Sequence, residues 1–166
     1  MNLEELGEYK HKVAGLLAQD PNIIEVMLGN VDDDADTDEM LLGDDPNSCG
    51  HIYEFEYTPE INETQNTYLC METVVAQSAT DATYRIYLYI FPYCHKKIMQ
   101  TYKKEGMVGT RADILAVYVD RLLNGNRDFG IGRVRLIENN VYKPVNNYYG
   151  RSICYEVVDF NRKMGR

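Results

Sequence analysis

The run Tyr84-Arg85-Ile86-Tyr87-Leu88-Tyr89-Ile90-Phe91 is apolar or aromatic on both faces of an extended chain. A strand of this kind needs cover on each face, so it belongs at the centre of a sheet. Pro92 has no N–H to give a ladder and marks its end. Further strands are expected around it. Residues 51–57 alternate strictly, with Tyr53, Phe55 and Tyr57 on one side and glutamates on the other, the pattern of a strand with one wet face. Residues 67–75, 132–137 and 151–160 read as three more.

Three helices are expected with these strands. Leu3, Leu6, Val13, Leu16 and Leu17 recur at three- and four-residue steps, which predicts an amphipathic helix ending near Asp20-Pro21. Pro21 suits the first turn of a short second helix over 22–28, stopped by Gly29-Asn30. Thr110-Arg111-Ala112-Asp113 has the form of a capping box. Ile114, Leu115, Tyr118, Val119 and Leu122 then make one face, and Gly125 closes the helix. The 166 residues suffice for one core, and no linker divides them. The class expected is α+β: a single domain over 1–166, one mainly antiparallel sheet, and helices packed on one face. Residues 94–109 read as a basic loop with one helical turn, and residues 139–150 as a loop rich in turn residues and tyrosine.

Charge is unevenly placed. Residues 1–93 carry 19 acidic and 3 basic side chains, and residues 94–166 carry 7 and 14; the net charge is −9. Such a protein is a poor general DNA binder, because phosphate repels it before contact. If the two halves fold against each other, their fields cancel. If they end on opposite sides, one copy's acidic face complements a neighbour's basic face and favours rings or stacks. The plain alternative is a solvated acidic segment with ordinary surface arginines. About 32–48, rich in aspartate, is expected to be an exposed acidic loop.

Signs of catalysis are weak, and no enzyme activity or cofactor is expected. Cys49, His51, Cys94 and His95 are enough in number for a tetrahedral zinc. However, adjacent ligands such as Cys94 and His95 seldom converge, and no C-x-x-C knuckle exists. They define a rival reading as a small zinc enzyme or sensor. Asp34, Asp36, Asp38 and Asp45 partly imitate a calcium loop, with Glu39 where the turn needs glycine. Gly130-Ile131-Gly132 lacks the residues of a phosphate loop. The four cysteines are too few and scattered for a disulfide scaffold, which predicts reduced thiols. No stretch approaches a membrane span, and Met1-Asn2-Leu3-Glu4-Glu5 lacks the layout of a secretory signal. The chain is therefore expected to keep away from membranes.

Contact area is the positive signal. Tyr142, Tyr148 and Tyr149 offer rings with polar tips, which suits a protein interface; equally, they are the aromatics of a long hairpin folded back on its sheet. Arg151, Lys96, Lys97, Arg133 and Arg135 add basic partners. These eight residues are the interface candidates.

The segments Thr110-Arg111-Ala112-Asp113-Ile114-Leu115, Asp120-Arg121-Leu122-Leu123-Asn124-Gly125 and Asp128-Phe129-Gly130-Ile131-Gly132-Arg133-Val134 are joined by Tyr148-Tyr149-Gly150-Arg151, Asp159-Phe160-Asn161 and Asp20-Pro21-Asn22-Ile23-Ile24. Together they resemble small structural proteins of the tailed-bacteriophage head–tail junction, most of all tail-terminator (tail-completion) proteins. The resemblance covers most of 84–160 and, more loosely, the N-terminal helices. Its motifs are a capped helix and turn glycines, with no catalytic signature. It implies a virion protein forming a ring, usually of six identical subunits, that caps the tail tube and joins it to the neck and connector proteins. A head-closure (stopper) or adaptor ring is the near relative of that role. The ring would pass DNA through its lumen without binding it specifically. No role for the acidic loop follows from the resemblance.

Overall fold

A computed structural model describes residues 4–43, 51–60, 65–77, 84–128 and 132–158. The chain runs α1 (Glu4–Ala18), α2 (Pro21–Leu28), α3 (Thr37–Leu42), β1 (Ile52–Tyr53), β2 (Thr67–Gln77), β3 (Tyr84–His95), α4 (Arg111–Leu123), β4 (Val134–Tyr142) and β5 (Tyr148–Val158). The strands form one sheet in the order β1-β2-β3-β5-β4. β1 pairs parallel to β2, and every other pairing is antiparallel. The fold is α+β, as expected.

β3 holds the centre: its helix-side face is buried along its length, and its other face is buried at Phe91 and Tyr93 and half-buried at Tyr87 and Tyr89. Ile86, Leu88 and Ile90 enter the helix-side core, with Leu69 and Met71 of β2 and Ile153, Tyr155 and Val157 of β5. Val13 and Leu17 of α1, Ile23 and Val26 of α2, and Ile114, Leu115 and Val119 of α4 close over them. Each such aliphatic contributes roughly 1.5–3 kcal/mol when fully buried. On the opposite face Phe91 and Tyr93 join Tyr68, Cys70 and Tyr148 in a second, aromatic cluster. Period-2 alternation thus sorts aliphatic from aromatic residues across one strand.

The helix signals act as read. Asp20 Oδ1 accepts from the N–H groups of Asn22 and Ile23 at 2.9 and 3.0 Å, with Pro21 opening α2. Thr110 and Asp113 complete a reciprocal capping box on α4. α1 and α3 contact the β1–β2 side of the sheet and α4 the β3–β5–β4 side, with α2 between.

Four expectations need correction. The strand over 51–57 shrinks to Ile52–Tyr53. Tyr53 and Tyr57 stack at 4.1 Å and tilt toward Tyr68 instead of extending the ladder. The acidic segment holds a helix, α3: Asp36 accepts from the Glu39 N–H at 3.0 Å and Leu41 is fully buried, so a cap and one apolar anchor overcome the repulsion. Residues 44–48 of that segment lie outside the described residues. Pro92 does not end β3. It pairs opposite Leu69 on β2, and the strand continues to His95. Finally, 139–150 is mostly ladder: β4 and β5 extend to Tyr142 and from Tyr148, leaving a short turn in which Asn147 has φ 73°.

Crossing Pro92 demands a small partner. A Cβ on Gly150 would stand 2.0 Å from the Pro92 carbonyl oxygen and 2.5 Å from the Tyr93 Cβ. Gly150→Ala is therefore expected to destabilise the fold by about 2–4 kcal/mol, since neighbouring backbone must move. Urea unfolding of the two proteins checks this; equal midpoints would refute it.

Candidate functional site

A groove runs between helix α4 and the outer strand β4. Two adjoining hollows, of about 590 and 490 Å³, share Asp113 and Arg151 as common lining. Across them the Arg151 Nε donates to Asp113 Oδ1 at 2.9 Å. Asp113 also accepts from the Thr110 N–H and hydroxyl at 3.0 and 2.8 Å, so the helix cap and the groove's ion pair use one carboxylate.

Apolar side chains stand exposed along the lining. Val108, Val117, Leu136, Val141 and Tyr149 border the hollows and are 101%, 40%, 37%, 79% and 39% exposed. Single exposed apolar residues are ordinary, but five around one concavity are an unpartnered surface. A register shift between Leu136 and Glu138 shapes this side of the groove. After the shift Asn139 and Val141 oppose Ile153 and Arg151 across the ladder, which re-aims β4 by one residue. From Arg135 to Val141 every residue of β4 is exposed, and its outer edge pairs with no described strand.

The rim is basic. Lys96, Lys97 and Arg121 line it, and none is in an ion pair among the described residues. Arg121 lies over the Tyr118 ring at 5.6 Å, and Lys143 over Tyr149 at 5.1 Å. The groove's own acids are engaged: Asp113 by Arg151, and Asp120 as acceptor of the Tyr155 hydroxyl at 3.1 Å.

The interface candidates divide. Lys96, Lys97, Tyr149 and Arg151 come together in this groove. Tyr148 is buried, sharing the aromatic cluster, and so offers no ring to a partner. Tyr142 packs partly against the same cluster, its hydroxyl donating to Glu56. Arg135 pairs with Glu156 at 2.5 Å, as Arg85 does at 3.0 Å, on the face away from the helices. Arg133 is exposed and lies beside Gly125, past the end of α4, where a cation suits the helix dipole.

Among the described residues the metal candidates do not form a ligand group. Cys94 is buried, its thiol directed to the Met99 sulfur at 3.4 Å and pushed up to about 12 by burial. His51 Nδ1 donates to the Thr67 carbonyl at 2.9 Å, and burial holds its pKa low. His95 meets the Tyr148 ring edge-on; burial first, then the Lys97 and Lys96 charges, lowers its pKa. Cys49 lies outside the described residues. Among the described residues no three His, Cys, Asp or Glu side chains are grouped to hold a metal. No helix among them is long and apolar enough to cross a membrane.

Val108, Leu136 and Val141 carry no sequence signal that marks them as surface, Val117 carries only that of an apolar residue off the inner face of α4, and Arg121 stands in sequence only within the resembling segment Asp120–Gly125.

Burial would raise the Asp113 pKa, but the Thr110 bonds and Arg151 outweigh it and hold it below the ordinary 3.8. Its contribution to stability is therefore complete above that value and lost as pH falls through the lower, folded-state pKa. Asp113→Asn is expected to flatten the decline of unfolding free energy below about pH 4. Urea titrations across that range check it; an unchanged slope would count against the role given to this carboxylate.

A protein-family model described as YomW matches residues 20–157, from the N-cap of α2 almost to the end of β5. The match takes in the whole groove. Comparison with curated proteins finds no match.

Proposed function

The chain belongs to the YomW family, and from that premise we propose that it is a non-enzymatic structural protein of a tailed-bacteriophage particle, acting as a ring subunit at the head–tail junction. Its role there is to cap the tail tube and join it to the neck. The observation that carries this reading is the division of the surface: an unpartnered, basic-rimmed apolar groove at one edge of the sheet, and an acidic flank at the other. A monomer gains nothing from leaving such a groove open, whereas a subunit with neighbours on both sides uses both edges.

Two further features support it. The segments resembling head–tail junction proteins, Asp159-Phe160-Asn161 excepted, lie inside the span matched by the family model. The net charge of −9 sets the overall field against phosphate, which suits a conduit that DNA crosses without sticking. The partners are identical subunits, the tail tube protein and the neck proteins.

Electron microscopy tests the reading. Purified protein is expected to show rings with a central opening, and gold-labelled antibody against the chain should mark the junction of head and tail on particles. Label along the tail shaft, on the capsid shell or absent from particles would overturn it.

A further inference from the structure

We propose that the groove between α4 and β4 receives the acidic α3 flank of a second copy of this chain; this rests on the ring reading above and names its subunit contact.

The two surfaces are complementary in charge. Asp33, Asp34, Asp38 and Glu39 are exposed on or just before α3 and take part in no ion pair among the described residues. Lys96, Lys97 and Arg121 stand equally unpaired on the groove rim, while the groove's carboxylates already hold partners. The surfaces also match in apolar content. The flank carries Met40 at 42% exposure among these carboxylates, an apolar anchor for a groove bordered by Val117, Leu136 and Val141.

Sheet order forbids the contact within one molecule. β1 and β4 are the opposite edges of five strands, roughly 19 Å apart at the usual strand spacing. Nor does groove meet groove, since two basic rims repel. The contact is therefore heterologous, each copy giving its flank to one neighbour and its groove to the next, and it closes into a ring if the rotation allows.

The test is a charge exchange read by native mass spectrometry and sedimentation, with circular dichroism to confirm folding. One variant reverses the rim (Lys96→Glu, Lys97→Glu, Arg121→Glu), and the other reverses the flank (Asp33→Lys, Asp34→Lys, Asp38→Lys). The wild type is expected to self-associate, and each variant alone to need a concentration at least about tenfold higher. Their equimolar mixture should regain assembly with one-to-one stoichiometry, because each variant's flank then faces an opposite charge. A wild type that associates while both variants match it, or variants that fail without rescue on mixing, would overturn this contact and leave the ring reading standing. A wild type that stays monomeric at every concentration would overturn both.

Discussion

Everything in this fold depends on burying both faces of β3. A central strand with aliphatics on one side and aromatics on the other needs two separate covers. The three longer helices supply the first, through Val13, Leu17, Ile23, Ile114 and Leu115. Tyrosines from 53–57 and from both ends of the β4–β5 turn supply the second. There the Tyr93 hydroxyl donates to the Tyr57 carbonyl at 2.6 Å, with the Cys70 sulfur 3.5 Å away. The polar tips of large rings are thereby satisfied inside a cluster of apolar bodies. The close approach of Gly150 to Pro92 lets β5 lie along a β3 that continues past its proline.

Sheet order then turns a pattern along the chain into a pattern in space. The acidic N-terminal half supplies α1, α3, β1 and β2, while the basic C-terminal half supplies α4, β4 and β5. Among the described residues few charged groups join the halves: Lys104 meets Glu25 at 2.5 Å, Arg85 meets Glu156 at 3.0 Å, and Arg111 donates to the Val26 carbonyl at 3.0 Å. The two fields therefore remain largely apart, with their poles at opposite edges. That separation, together with an apolar groove on the basic side, is the physical ground for reading the surface as one made to meet other subunits.

The helix boundaries were legible because they rest on local chemistry. Asp20-Pro21 and Thr110 with Asp113 satisfy orphan N–H groups within four residues. The position of β3 was legible too, since only a central strand tolerates two apolar faces. The groove was not. Lys96, Lys97, Tyr149 and Arg151 stand out in sequence as residue types, but their meeting with Val108, Val117, Leu136 and Val141 depends on a register shift in β4 and on where α4 lands. Tyr148 shows the converse: a tyrosine beside a turn resembles an interface residue until the hairpin folds it inward. α3 is not legible in sequence because its one buried anchor, Leu41, is outnumbered by carboxylates that point to water.

The sequence by itself determined the class of fold, the caps of α2 and α4, and the segregation of charge, for these arise from near neighbours, alternation and composition. Only the tertiary structure decided which exposed side chains share a surface. Strand order, register and the seat of α4 are long-range outcomes, and a shift of a single residue in β4 turns a side chain from one face of the sheet to the other.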